Sequence, residues 1–156
     1  MRGLMLRAVP VCFVVFASGC FLMPRTPNPY ADPSSQPTRA YWQKVNSILA
    51  EKPTSGELLA LVGLVRKQTD ALRELPTEEV DADLVAAVNN VIKCEDEVLR
   101  RAEMANNDPG VLKSSRDLAV VFADANRAAA EAKKRVKALQ PTLNTRHGGG
   151  FSVTGG

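Results

Sequence analysis

Between Val111 and Leu139, apolar or small residues recur at alternating spacings of four and three: Val111, Ser115, Leu118, Phe122, Ala125, Ala129, Ala132, Val136 and Leu139. That rhythm is an a/d seam held for about four heptads, and it demands an α-helix packed lengthwise on another helix. A strand would need alternation with period two, and no stretch keeps that up for long enough. The alanines thin the seam midway, so the facing helix can come close there. Asp108 and Pro109 suit the N-cap and first position of this helix, and Pro141 ends it.

Three further segments carry helical spacing. Arg39 to Lys52 places Tyr41, Val45, Ile48 and Leu49 on one face with Trp42 beside it; Thr38 can cap it and Pro53 stops it. Ser55 to Leu75 repeats Leu58, Leu61, Val62, Val65, Leu72 and Leu75, with Thr54 and Glu57 at capping-box spacing and Pro76 as the stop. Leu59 and Leu64 widen its apolar surface, which predicts cover on more than one side. The third helix begins near Glu78 or Glu79 and runs to about Asn106, with a stripe of Leu84, Val88, Val91, Val98, Leu99 and Ala102.

The connection around Asn107-Asp108 is short, so helices three and four form an antiparallel hairpin. Folding back there sets position 83 near 134. Glu78, Glu79, Asp81 and Asp83 then lie beside Lys133, Lys134, Arg135 and Lys137. Acids at a helix start and bases at a helix end also suit the macrodipole, so these runs read as structural. The same register brings Glu95, the one carboxylate in the helix-three stripe, near Phe122 and Asn126. The expected fold is all-α: a four-helix bundle built on a long hairpin, with self-association as the alternative way of completing its core.

Both flanks look unpacked. Residues 21–37 hold five prolines and no periodicity, and proline removes backbone donors, so 20–37 reads as an extended linker. Residues 141–156 hold five glycines and read as a disordered tail. The helical domain is then 38–140.

Residues 1–19 have the order of a secretory signal: Arg2 and Arg7, an apolar run from Ala8 to Ala17, then small residues. Cys20 follows directly, and Ala17-Ser18-Gly19-Cys20 resembles the lipobox of bacterial lipoproteins, with Ala17 where that family usually carries leucine. The resemblance implies a diacylglyceryl group on the Cys20 sulfur, further acylation such as palmitate, removal of residues 1–19, and membrane attachment through the lipid. Phe21, in place of the aspartate that commonly retains such proteins at the inner membrane, implies an outer membrane, facing the periplasm. The apolar run is shorter than the roughly 20 residues a spanning helix needs.

The chain has 20 Lys+Arg against 17 Asp+Glu. Two of the basic residues leave with the signal, so the remainder is close to neutral and gives no support for nucleic-acid binding. Cys12 leaves too and Cys20 is acylated, so Cys94 stands alone and no intramolecular disulfide forms. It reads as a small core residue. The only histidine, His147, lies in the glycine-rich tail, where a Ser-His-Asp or Cys-His set would have to recruit it. No phosphate loop, HExxH or Glu-x-x-His pair is present, so neither a metal, a cofactor nor a catalytic residue is expected. Together these features point to a non-enzymatic, lipid-anchored envelope protein that binds another protein through a helical surface. The alternative is a small-molecule or lipid carrier with a cavity between helices near Glu95.

Overall fold

The computed structural model describes residues 33–107 and 115–153. It is all-α. A 3-10 turn, Pro33–Ser35, leads into α1 (Gln36–Ala50), followed by α2 (Leu58–Arg73), α3 (Ala82–Asn107), α4 (Ser115–Ala138) and a short α5 (Gln140–Arg146). Among the described residues there is no strand. Helices α3 and α4 form the expected antiparallel pair and share the most extensive interface, while α2 packs on α3. At ~1.5 Å per residue, α3 is about 39 Å long.

The stripes that the periodicity predicts are the buried ones. Leu84, Val88, Val91 and Val98 of α3 are buried, as are Phe122, Ala125, Ala129, Ala132 and Val136 of α4. Val120, on the other side of α4, is 69% exposed. Val111, Asp108 and Pro109 lie outside the described residues.

Two core clusters result. The larger joins Tyr41, Trp42 and Val45 of α1, Leu72 of α2, Leu84, Val88 and Val91 of α3, Ala132 and Val136 of α4, Leu143 of α5, and Phe151. The smaller holds Val98, Ala105, Phe122, Ala125 and Ala129, with only Val65 of α2 packed against it. We call the end with the larger cluster, where Pro33 enters, the clasp end, and the opposite end the tip. Helix α1 stops at Ala50, about halfway along, so among the described residues the helices of the tip are α2, α3 and α4.

Several boundaries differ from the sequence expectation for identifiable reasons. The domain begins at Pro33, not at 38: Ser35 is buried and Pro37 sits in the first turn of α1. Thr38 does not cap α1. It is 1% exposed, and its Oγ1 accepts the Asp81 N–H at 3.0 Å. Helix α2 starts at Leu58 with Glu57 as N-cap and no side-chain cap, so the Thr54–Glu57 box is not formed. Helix α3 starts only at Ala82. Glu79 takes a left-handed backbone (φ 60°), which no helix interior permits, and Asp81 Oδ1 accepts the N–H groups of Asp83 and Leu84 as the cap.

The hairpin register is also shifted. Because α4 begins at Ser115, the fold-back lies further along than Asn107–Asp108. Val91 therefore meets Ala132 and Val136, and Ala105 shares a cluster with Phe122. The shift is about one and a half turns on each helix.

The expected disordered tail, 141–156, is folded as far as Val153. Pro141 sits in the first turn of α5 rather than merely ending α4. Gly148, Gly149 and Gly150 all take positive φ, 70°, 90° and 92°, a turn open to glycine and strained for other residues. It sends Phe151 back into the core, 3% exposed.

Candidate functional site

Three places combine chemistry with position: a polar layer in the middle of the rod, a clasp at one end, and an uncovered tip at the other. The lipidation residue Cys20 lies outside the described residues.

Glu95 lies in the α3 stripe and is fully buried. It does not meet Phe122 and Asn126; the register shift brings it to Lys133, whose Nζ is 2.7 Å from Oε1. Thr69 donates to Oε2 at 3.0 Å. The Lys133 ammonium also donates to Gln68 Oε1 at 2.9 Å, and Gln68 Nε2 donates to the Ile48 carbonyl at 2.9 Å. Oε1 makes no directed hydrogen bond, so its compensation is the charge of Lys133 alone. A buried carboxylate needs that partner, since desolvation is costly. The layer ties α1, α2, α3 and α4 together at one level. It divides the two clusters.

At the clasp end, His147 is not on a free tail. Its Nδ1 is 2.9 Å from Ser35 Oγ, and its Nε2 is 3.1 Å from Asp81 Oδ2. The three residue types are those of a hydrolytic triad, which spacing alone could not reveal because 112 positions separate Ser35 from His147. Ser35 is only 2% exposed, and the contacts around the trio are those of a fastening. Arg146 reaches Asp83 at 2.6 Å and Asp81 at 3.2 Å. Arg39 donates to the carbonyls of His147 and Gly149. Trp42 Nε1 donates to the Ser152 carbonyl at 2.9 Å, and the Trp42 and Phe151 rings meet edge to face. Burial works against ionisation of Asp81. Hydrogen bonds from His147, the Leu84 amide, Arg146 and the Asp83 amide outweigh it and hold the carboxyl below its usual range.

These contacts correct the expected pairing of acidic and basic runs. Asp81 and Asp83 are held by Arg146 and His147, Lys133 by Glu95, and Lys134 by Glu131 at 2.7 Å.

Cys94 is half-buried beside both clusters. It lines a shallow cleft of about 410 Å³ between α3 and α4, with Lys93, Glu97, Arg100 and Ala125. Glu97, on that rim, accepts from Arg100 and Arg101, which hold its carboxyl down at about 2. Among the described residues no group of three or more His, Cys, Asp or Glu could hold a metal, and no helix is long and apolar enough to cross a membrane.

The tip is where apolar side chains face outward. Leu59 is 83% exposed, Leu61 41%, Met104 57% and Val120 69%. The Arg66–Glu103 ion pair, 3.1 Å, aligns the first half of α2 with the last turns of α3. All four exposed residues therefore cluster at one end. The widened apolar surface of the second helix is real, and the described residues do not cover its Leu59 and Leu61. Comparison with protein-family models, characterised proteins and solved structures finds no match for the chain.

Proposed function

We propose that the protein is a non-enzymatic lipoprotein of the bacterial cell envelope, held by acyl chains on Cys20, which binds another protein through the helical surface at its tip. The observation that carries this reading is polarity of construction. The chain comes in at Pro33, at the clasp end, where Ser35, His147 and Asp81 fasten it. The exposed Leu59, Leu61, Met104 and Val120 lie at the other end, about 39 Å away along α3. A domain tethered at one end and apolar at the other is suited to holding its tip toward a partner. An exposed apolar cluster of this kind marks an interaction site more often than scattered surface residues do. The Ala17-Ser18-Gly19-Cys20 run supports the anchor, and Phe21 supports an outer-membrane address facing the periplasm. The carrier reading gains nothing from Glu95, because Lys133 and Thr69 already occupy its carboxylate.

Two measurements test the parts separately. Cys20→Ser should abolish labelling by fatty-acid analogues and leave an unprocessed precursor; continued labelling would remove the anchor from the reading. A photo-crosslinking residue at Leu59 or Met104 should capture a defined protein in living cells, whereas one at the exposed Lys44 of the clasp end should not. Equal capture at both ends would refute the tip as the binding surface.

A further inference from the structure

We propose that the uncovered first half of α2 is a self-association surface, occupied by the α2 of a second copy of this chain lying antiparallel to it. This rests on the reading above of a helical binding surface and names the partner.

In the run Leu58 to Val65 no side chain is polar. Leu59 and Leu61 are separated by ~200° around the helix, so they lie on opposite flanks, and both are exposed. A second helix laid on the Gly63 side would cover the more exposed Leu59, about 40° away around the helix. Among the described contacts, α1 meets α2 at Gln68, and Val65 of this helix packs against the tip cluster. Among the described residues Leu59 and Leu61 are left open, and a second copy would supply the missing layer. Gly63 lies in the middle of the run, is exposed, and a Cβ there would have nothing within 4 Å, so a second backbone can approach closely.

Charge chooses the occupant. Glu57 stands exposed at one edge of the run, and Arg66 and Lys67 stand exposed at the other. A parallel copy would set like charges together. A ligand of single sign, such as an anionic bilayer, would meet a like charge at one edge. An antiparallel copy sets each Glu57 against the other Arg66 and Lys67, twice over by two-fold symmetry. Arg66 and Lys67 now sit in exposed ion pairs with Glu103 and Glu51, at 3.1 and 2.7 Å, which contribute little and exchange readily. The pair carries its two Pro33 ends at opposite extremes. The 12 residues between Cys20 and Pro33 span up to about 40 Å, enough for both anchors to reach one bilayer with the pair lying along it.

The test is sedimentation equilibrium of the full chain in density-matched non-ionic detergent. A monomer–dimer equilibrium is expected. Gly63→Arg, which keeps the fold by its circular dichroism, should weaken the dimer about tenfold or more, and Glu57→Lys should do the same. Arg66→Glu with Lys67→Glu should also weaken it, and combining these two with Glu57→Lys should restore the dimer to within roughly threefold. A monomer at every concentration up to about 100 μM, or a dimer indifferent to all these changes, overturns the proposal. Capture of a different protein at Leu59 in cells, with the purified chain monomeric, would overturn it and leave the binding reading standing.

Discussion

The two halves of the rod solve the same packing problem to different depths. At the clasp end, five helices and Phe151 surround Trp42, Val45, Leu84, Val88 and Val136, of which none is more than 1% exposed. At the tip, three helices enclose Phe122 and small residues, and large apolar side chains remain outside. The difference follows from where α1 ends. A fourth helix over half the length gives a closed core there, and among the described residues the other half has no such cover. The lesson is that an apolar run such as Leu58–Val65 can be complete as a helix and incomplete as a core.

The largest expected effect breaks the denser half. Trp42→Ala should cost toward the upper part of the ~3–5 kcal/mol range for large aromatics, because closely packed neighbours cannot collapse into the hole. Phe122→Ala should fall toward the lower part, since the three-helix tip can relax. Urea denaturation would rank them, and the reverse order would deny that the tip is the looser half.

The boundary between the halves is tested next. Lys133→Met strips Glu95 of its only cationic partner and should cost on the order of 3 kcal/mol at neutral pH. The double replacement Glu95→Met with Lys133→Met should recover most of that loss. Failure to recover would mean the layer contributes more than mutual charge compensation.

A smaller effect concerns acid and belongs to the clasp end alone. Asp81 has a folded pKa below its unfolded value, so its contribution is present in full above the unfolded value of 3.8 and fades as pH falls below it. Asp81→Asn should flatten that part of the stability profile. Because Trp42 is the only tryptophan and bonds Ser152, its fluorescence should report loosening of the clasp before helicity at the tip is lost.

The smallest effect is at the tip surface. Leu59→Ser should change the stability of the isolated chain by no more than about 0.5 kcal/mol, as expected for an exposed position. A loss of several times that would show Leu59 to be covered within the monomer and would close the comparison in the opposite sense.

Much of this architecture was legible from periodicity. Leu84, Val88, Val91 and Val98 of helix three and Phe122, Ala125, Ala129, Ala132 and Val136 of helix four are buried where the pattern set them, Leu99, Ala102 and Leu139 are half-buried, and Val120 is outside. Even the out-of-pattern Glu95 is buried in its stripe, as its position required. Its partners were not legible, since they depend on the hairpin register, and a shift of about one and a half turns on each helix exchanges Phe122 and Asn126 for Lys133.

The clasp escaped for a different reason. A tail of glycines scans as flexible when each residue is weighed locally, and a lone histidine has no neighbour in sequence to complete it. Pro141 starts α5, the three glycines make the return turn, and Phe151, Leu143 and Trp42 become one core.

The sequence by itself determined the helices, their buried stripes and the antiparallel pairing of α3 with α4. Those follow from interactions within a few residues, the spacing of apolar positions and the proline stops, whereas the caps expected at Thr38 and Thr54–Glu57 do not form. Only the tertiary structure decided the register, the partners of Glu95, Asp81 and His147, and which half of the rod remains uncovered. Each of these turns on contacts between residues distant along the chain, up to 112 positions for Ser35 and His147. Local physics leaves such contacts open, and packing chooses among them.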